Sequence, residues 1–145
     1  MSLFTVDSRI TNSSVWLADR SLSSIYLKNE AYFPWLVLVP RIENVQEIHQ
    51  LSKQDGSKLM EEIADISRVM SHYCKPDKIN VGALGNIVSQ LHIHIVARFT
   101  NDIAWPQSIW QAGLMTQPYE ETELAKQVGC WRKLLLTSHI FEQKL

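Results

Sequence analysis

The chain has 145 residues, of which 46% are hydrophobic and 20% are charged, a composition that excludes intrinsic disorder. A formal net charge of −1 argues against nucleic-acid binding through overall charge, so a phosphate site must be a local arrangement of donors. Two distant cysteines, Cys74 and Cys130, form neither a disulfide framework nor a metal motif. No signal-peptide pattern is present, and the longest apolar run, residues 33–40, is far shorter than the ~20 residues of a membrane span. We therefore expect one cytoplasmic domain over residues 1–145, with no nucleic-acid or membrane partner.

Short strands are predicted in the N-terminal part of the chain. Two apolar-rich segments, residues 14–18 and 24–28, are bounded by polar turn residues. Residues 35–39 form a continuous apolar run that ends at Pro40, a pattern typical of a strand buried on both faces. Two further strands are expected at residues 78–84 and 91–99, where apolar character returns.

Two helices are predicted by apolar residues that recur at spacings of three and four. The first begins after Ser52, which with Asp55 resembles a capping box, and it ends before Pro76. The second covers about residues 119–137. The two apolar stripes are Leu59, Ile63, Ile66, Met70 and Tyr73 in the first helix and Leu124, Val128, Trp131 and Leu135 in the second. Strands and helices without regular alternation indicate an α+β domain.

The segment from Gln90 to Val96 carries the clearest functional pattern. Side chains alternate between the two faces of a strand, so Gln90, His92 and His94 are predicted to share one face and the intervening apolar residues the other. Neighbouring side chains on one face are ~6.5–7 Å apart, because the rise is ~3.3 Å per residue. Three such polar groups can all reach one small anion.

Phosphate chemistry explains why two imidazoles and an amide stand together. A neutral imidazole is a competent nucleophile near pH 7, since its ordinary pKa is ~6.5. Attack on phosphorus forms a covalent phospho-histidine intermediate and divides one difficult displacement into two easier ones. The second imidazole and the amide can donate hydrogen bonds to the non-bridging oxygens.

Two other interpretations of the histidine pair remain open at this stage. A His-x-His pair on a strand is also a common metal half-site, but a closed site needs three or four ligands. The other histidines, at positions 49, 72 and 139, lie in unrelated segments, so we predict no metal site. Both histidines could instead be structural. We favour phosphate chemistry.

The pattern resembles the histidine triad family of nucleotide hydrolases and transferases, whose signature is His-x-His-x-His followed by two apolar residues. Residues 90–96 match it at every position except the first, where Gln90 stands in place of histidine. Other segments resemble the family in the same order: the apolar strand ending at Pro40, Asn80 and Gly82, Gly85 and Asn86, Arg98, and Trp105-Pro106. The resemblance covers about residues 14–110. It implies a five-stranded antiparallel sheet with two main helices, and a homodimer.

The resemblance also implies roles for individual residues. The middle histidine of the family is the nucleophile, which corresponds to His92, and the third contacts the phosphate, which corresponds to His94. Asn80 corresponds to the asparagine near the nucleophile, and Asn86 to the glutamine of a Gly-Gln pair. Asn29 is the nearest match to the residue that holds the ribose, with Glu30 as the alternative.

Three positions depart from the family pattern. Gln90 cannot act as an acid or a base, although its amide can donate a hydrogen bond to phosphate. Trp35 stands where many relatives have a histidine that supports the site, and Ile87 occupies a position that often holds a hydroxyl donor. Because leaving-group protonation then lacks an obvious acid, we expect dinucleoside polyphosphates to be better substrates than phosphoramidates.

The sequence therefore predicts a histidine-triad-type hydrolase, similar to diadenosine tetraphosphate hydrolases, in which His92 attacks the α-phosphorus and water then releases the nucleotide. A nucleotide-binding or sensing protein without turnover is one alternative, and a nucleotidyltransferase with another acceptor is a second. No resident cofactor is expected, although a polyphosphate substrate can arrive with Mg²⁺. Trp105 and Trp110 follow the triad, but packing explains them at least as well as base stacking, so they are not included in the site.

Overall fold

The computed structural model describes residues 3–142, with side chains for residues 3–138, so the side chain of His139 lies outside the described residues. Two 22-residue helices and a five-stranded sheet dominate the fold. In chain order the elements are α1 (Ser8–Thr11), β1 (Ser14–Asp19), β2 (Ser23–Lys28), β3 (Trp35–Pro40), a 3-10 turn (Ile48–Gln50), α2 (Lys53–Cys74), β4 (Lys78–Gly82), β5 (Ile93–Arg98) and α3 (Glu121–Glu142). The predicted α+β class with a five-stranded antiparallel sheet is confirmed.

The sheet has the order β1-β2-β3-β5-β4, and every neighbouring pair of strands is antiparallel. The central strand, β3, is buried over five of its six residues, as its continuous apolar sequence predicted. Its residue Val37 pairs with His94 of β5, and on the other side His94 pairs with Gly82 of β4. His94 is thus held between two strands near the middle of the sheet.

One face of the sheet is covered by the two long helices. Ser52 caps α2 by accepting a hydrogen bond from the backbone N–H of Asp55, which is the Ser52 half of the suggested capping box. The stripe residues of α2 are buried except Tyr73, which is 43% exposed because it lies in the last turn of the helix. The main core joins both helices to the inward face of the sheet; it includes Leu27, Leu36, Leu38, Ile66, Met70, Ile93, Ile95, Trp131 and Leu135.

The N-terminal segment, residues 3–12, lies against the opposite face of the sheet. Ile10 forms a buried cluster there with Tyr26, Val37 and Val39. His94 pairs with Val37 across β3 and β5, and directly paired residues point to the same face of a sheet. The side chain of His94 therefore points toward the N-terminal segment and away from the two long helices.

Two predicted boundaries near the triad were wrong. The strand predicted at residues 91–99 begins only at Ile93, since the backbone N–H of Leu91 donates to the carbonyl of Val45 outside the sheet. The strand predicted at residues 78–84 ends at Gly82. The last helix, which was predicted from about residue 119, begins at Glu121, because the backbone N–H of Tyr119 is bound by the Asn29 side chain.

Over residues 3–142 no helix combines the length and the apolar character that a membrane span requires.

Two methionines on α2 test which face of this helix meets the sheet. Met70 is fully buried, whereas Met60 is 64% exposed. We expect Met70→Ala to lower the free energy of unfolding by about 2–5 kcal/mol, because it leaves a cavity in the core. Met60→Ala, the matched control, should change it by at most about 0.5 kcal/mol. Equilibrium unfolding in urea measures both, and equal losses would contradict this placement of the helix.

Candidate active site

His92 lies directly before β5, and one hydrogen bond fixes the chemistry of its ring. Its Nδ1 is 2.7 Å from the backbone carbonyl oxygen of Gln90. A carbonyl oxygen only accepts, so Nδ1 carries the proton and donates it. The lone pair of the neutral ring is therefore on Nε2, which is the nitrogen left to attack an electrophile.

His94 is held in the opposite tautomer. The indole Nε1 of Trp35 donates a hydrogen bond of 2.9 Å to Nδ1 of His94, so this nitrogen keeps its lone pair and Nε2 carries the proton. Burial, followed by the charges of His92 and Lys28, lowers the pKa of His94 to about 3. His94 is therefore neutral at physiological pH, and its Nε2–H is a hydrogen-bond donor.

The two rings lie side by side with complementary groups. Their centroids are 4.8 Å apart and their planes are nearly perpendicular, at 77°. Both residues are more than nine-tenths buried. One ring thus offers a nucleophilic lone pair and the next offers an N–H, which is the pair of functions that attack on a phosphate and stabilisation of its oxygens require.

A largely apolar cavity of about 280 Å³ opens onto both histidines. The Trp110 ring forms part of its wall, with its centroid 5.6 Å from that of His94. Asn86, a predicted site residue, also lines this cavity, together with Leu84, Ile87 and Val88. The structure therefore brings His92, His94 and Asn86 together, and it adds Trp110, which the sequence analysis had left out. The only sequence signal for Trp110 was its position in a loop shortly after the triad.

A second, smaller cavity of about 70 Å³ also reaches both histidines and is more polar. Arg9, Ser13, Ser14 and Lys28 line it. The ammonium Nζ of Lys28 donates a hydrogen bond of 2.9 Å to Oγ of Ser13 and lies 5.6 Å from the centroid of the Trp35 ring. Sequence reasoning missed Lys28, although a lysine directly after the apolar residues 25–27 was a visible signal.

Gln90 does not share a strand face with the histidines, and that prediction was wrong. The residue precedes β5, and its side chain turns to the N-terminal segment instead. Its Oε1 accepts a hydrogen bond from the backbone N–H of Asp7 at 2.8 Å, and its Nε2 donates one to the carbonyl of Thr5 at 2.9 Å. The amide therefore holds the N-terminal segment beside the histidines; its predicted contact with phosphate stays a prediction.

Asn80 lies on β4, and its side chain belongs to a buried ionic network. Its Oδ1 accepts a hydrogen bond of 2.9 Å from Arg98, which also binds both carboxylate oxygens of Asp102. The hydrogen bond from the Arg98 guanidinium lowers the pKa of Asp102 well below its usual range. Asn80 lines neither cavity. Asp102 accepts hydrogen bonds from the backbone N–H groups of Ala104 and Trp105, so this network supports the Trp110 loop, residues 101–113.

Asn29 and Glu30, the two candidates for a ribose-binding residue, both bind backbone groups of the segment before α3. The Oδ1 of Asn29 accepts from the N–H of Tyr119 at 2.9 Å. Glu30 is buried and accepts from the N–H groups of Tyr32 and Gln117. Neither residue lines the cavities at the histidines, so a ribose contact by Asn29 stays a prediction. Within the described part of the chain, no three His, Cys, Asp or Glu side chains are grouped so that they could hold a metal ion.

Comparisons with known proteins identify a matching family model and several similar structures. A family model described as "HIT domain" matches residues 10–101. A histidine triad protein from Bradyrhizobium japonicum is 36% identical, with a TM-score of 0.84 over 90% of this chain and 96% of that chain. One from Marinobacter aquaeolei VT8 is 32% identical, with a TM-score of 0.88 over 94% and 98%. None of the curated proteins compared with the chain matches its sequence significantly.

More distant structures share the fold alone. A diadenosine triphosphate hydrolase from Plasmodium falciparum is 14% identical, with a TM-score of 0.59 over 91% of this chain and 80% of that chain. At this identity the likeness extends to the arrangement of strands and helices and carries no information about individual side chains.

The hydrogen bond from Trp35 to His94 can be tested by removing its donor. Trp35→Phe keeps an aromatic ring but loses the N–H, so we expect His94 to lose about 1 kcal/mol of its preference for the tautomer protonated on Nε2. Imidazole ¹⁵N chemical shifts measure this at pH 7. Trp110→Phe is the matched control, because its indole N–H has no hydrogen-bond partner among the described residues. Unchanged His94 shifts in Trp35→Phe would contradict the assigned tautomer.

Proposed function

Because the chain belongs to the HIT domain family, whose members are generally nucleotide hydrolases or transferases, we propose that it hydrolyses dinucleoside polyphosphates or related nucleotides through His92. The observation that carries this proposal is the pair of complementary tautomers. Nε2 of His92 has the lone pair and Nε2 of His94 has the proton, and both rings line the same cavity.

Two displacements at phosphorus make up the proposed reaction. The lone pair on Nε2 of His92 attacks the α-phosphorus, and the bond to the bridging oxygen breaks with its electrons remaining on that oxygen. The Nε2–H of His94 donates to a non-bridging oxygen, whose charge grows in the transition state. Water then attacks the phosphorus of the nucleotidyl-His92 intermediate and the bond to Nε2 breaks with its electrons returning to that nitrogen. One proton of the water passes to solvent, and the nucleotide and the neutral imidazole are released.

The surroundings of His92 favour a leaving group that departs as an anion. Gln90 has no titratable group, and its amide is already bound to Thr5 and Asp7. A polyphosphate can leave without being protonated, whereas an amine must accept a proton. We therefore propose polyphosphate over phosphoramidate substrates, with Mg²⁺ arriving on the polyphosphate and no resident cofactor. A homodimer remains a prediction from the resemblance, and a cytoplasmic location remains a prediction from the sequence pattern.

A nucleotide-binding protein without efficient turnover is the second candidate. The engaged amide of Gln90 favours it, because a site that has exchanged an ionisable triad residue for a structural one keeps its pocket and loses an acid. Passage of the nucleotidyl group to an acceptor other than water would instead make the protein a transferase.

Turnover by His92→Ala distinguishes these functions. We expect wild-type protein to release nucleotide from diadenosine tetraphosphate, and His92→Ala to lower kcat/KM by about 10³-fold or more while still binding AMP, because the nucleophile is lost and the pocket remains. Chromatography of the products measures both. His72→Ala, an exposed histidine on α2, is the matched control and should retain full activity.

Two results would contradict the proposal. Full activity in His92→Ala would exclude His92 as the nucleophile. A wild-type protein that binds AMP tightly but is inert on both diadenosine tetraphosphate and adenosine phosphoramidate would be a nucleotide-binding protein.

A further inference from the structure

Lys28 places a partly buried cation beside the two histidines. Its Nζ bonds to the hydroxyl of Ser13, and within residues 3–138 no carboxylate lies within ion-pair distance of it. Burial lowers the pKa of Lys28, with the charge of Glu30 acting in the opposite direction. Removing an ammonium from water without a counter-ion is unfavourable, and an anion in the adjoining cavity would compensate for it.

Arg9 lies at the rim of the same cavity, where its guanidinium forms an ion pair with the carboxylate of Asp7. The carboxylate of Asp7 and the carbonyl of Ile87 hold its guanidinium at 2.8–3.0 Å. Gln90 in turn fixes the backbone of this segment by its hydrogen bonds to Asp7 and Thr5. The residue that replaces the first triad histidine therefore holds the segment that carries Arg9.

We propose that the cavity of Lys28 and Arg9 receives the phosphate chain beyond the attacked phosphorus, with the Lys28 ammonium donating a hydrogen bond to the departing phosphate. This inference rests on the proposed function and adds a leaving-group subsite to it. The hydroxyls of Ser13 and Ser14 also line the cavity, but they already donate to the backbone carbonyls of Arg9 and Ile10, so the Lys28 ammonium is the donor that the proposal uses.

The two cavities differ in polarity, as the nucleoside and the phosphate chain of a nucleotide do. The larger one has apolar walls formed by Leu84, Ile87, Val88 and Trp110, which suit a nucleoside. The smaller one presents the ammonium of Lys28, with the Arg9 guanidinium, paired to Asp7, at its rim, and an ammonium suits phosphate oxygens. Both open onto the histidines, so an α-phosphate at His92 can direct its nucleoside one way and its phosphate chain the other.

Lys28 keeps its proton throughout the proposed step. The bond from Nε2 of His92 to phosphorus forms, the bond from phosphorus to the bridging oxygen breaks, and the electron pair stays on the departing oxygen. The ammonium stabilises this developing charge by a charge-assisted hydrogen bond. An amine leaving group develops no such anion, so the same lysine favours polyphosphates over phosphoramidates.

The kinetic test compares two substrates that form the same intermediate but release different groups. Lys28→Met should lower kcat/KM for diadenosine tetraphosphate by about 10- to 100-fold, because a hydrogen bond to a charged group is lost, and for adenosine phosphoramidate by less than about 3-fold. Lys28→Arg should restore most of the polyphosphate activity, since it keeps the charge. Lys126→Met, an exposed lysine on α3, is the matched control. An equal loss on both substrates would overturn the proposal.

A binding test separates this inference from the proposed hydrolysis. In His92→Ala, titration calorimetry with EDTA present should give a dissociation constant for ATP about tenfold or more below that for AMP, because only ATP extends into the cationic cavity. Adding Lys28→Met should abolish that preference. If the wild-type protein is inert but the preference for ATP depends on Lys28, hydrolysis fails and the subsite stands. If Lys28→Met leaves the preference unchanged, the subsite is excluded, whether or not the protein turns over substrate.

Discussion

The hydrogen bond from His92 to the backbone carbonyl of Gln90 determines what the site can do. A backbone oxygen cannot change its role from acceptor to donor, so the proton stays on Nδ1 and the lone pair on Nε2. The bond from Trp35 fixes the opposite arrangement in His94. A tryptophan N–H only donates, so Nδ1 of His94 always faces a donor. A histidine at position 35 could present either an N–H or a lone pair, depending on its tautomer.

The division of the sheet into two faces makes room for this pair. Both long helices pack on one face, so the other is left for the histidines, the N-terminal segment and the Trp110 loop. Gly82, which pairs with His94, is part of the same arrangement. A Cβ at this position would lie 2.7 Å from the Leu84 side chain and 3.0 Å from the Trp110 ring, so glycine allows Trp110 to approach His94.

Local patterns predicted the fold and the proximity of His92 and His94 better than they predicted the surroundings of the site. The apolar run of β3, the cap at Ser52 and the stripe through Ile66 depend on nearest neighbours in the chain, and each was found as expected. The environment of Gln90 depends on the N-terminal segment, more than 80 residues away in sequence, which crosses the sheet to meet it. No periodicity in the sequence reports such a contact, and the same holds for Lys28 and Trp110.

The stereochemical course at phosphorus tests the central claim, that His92 forms a covalent intermediate, most directly. A dinucleoside polyphosphate with a chiral α-phosphorothioate, hydrolysed in ¹⁸O-labelled water, reports whether the configuration at the α-phosphorus changes. Each in-line displacement inverts that configuration, so attack by His92 followed by attack by water predicts net retention. Net inversion would show that water attacks the substrate directly and would contradict a nucleotidyl-His92 intermediate.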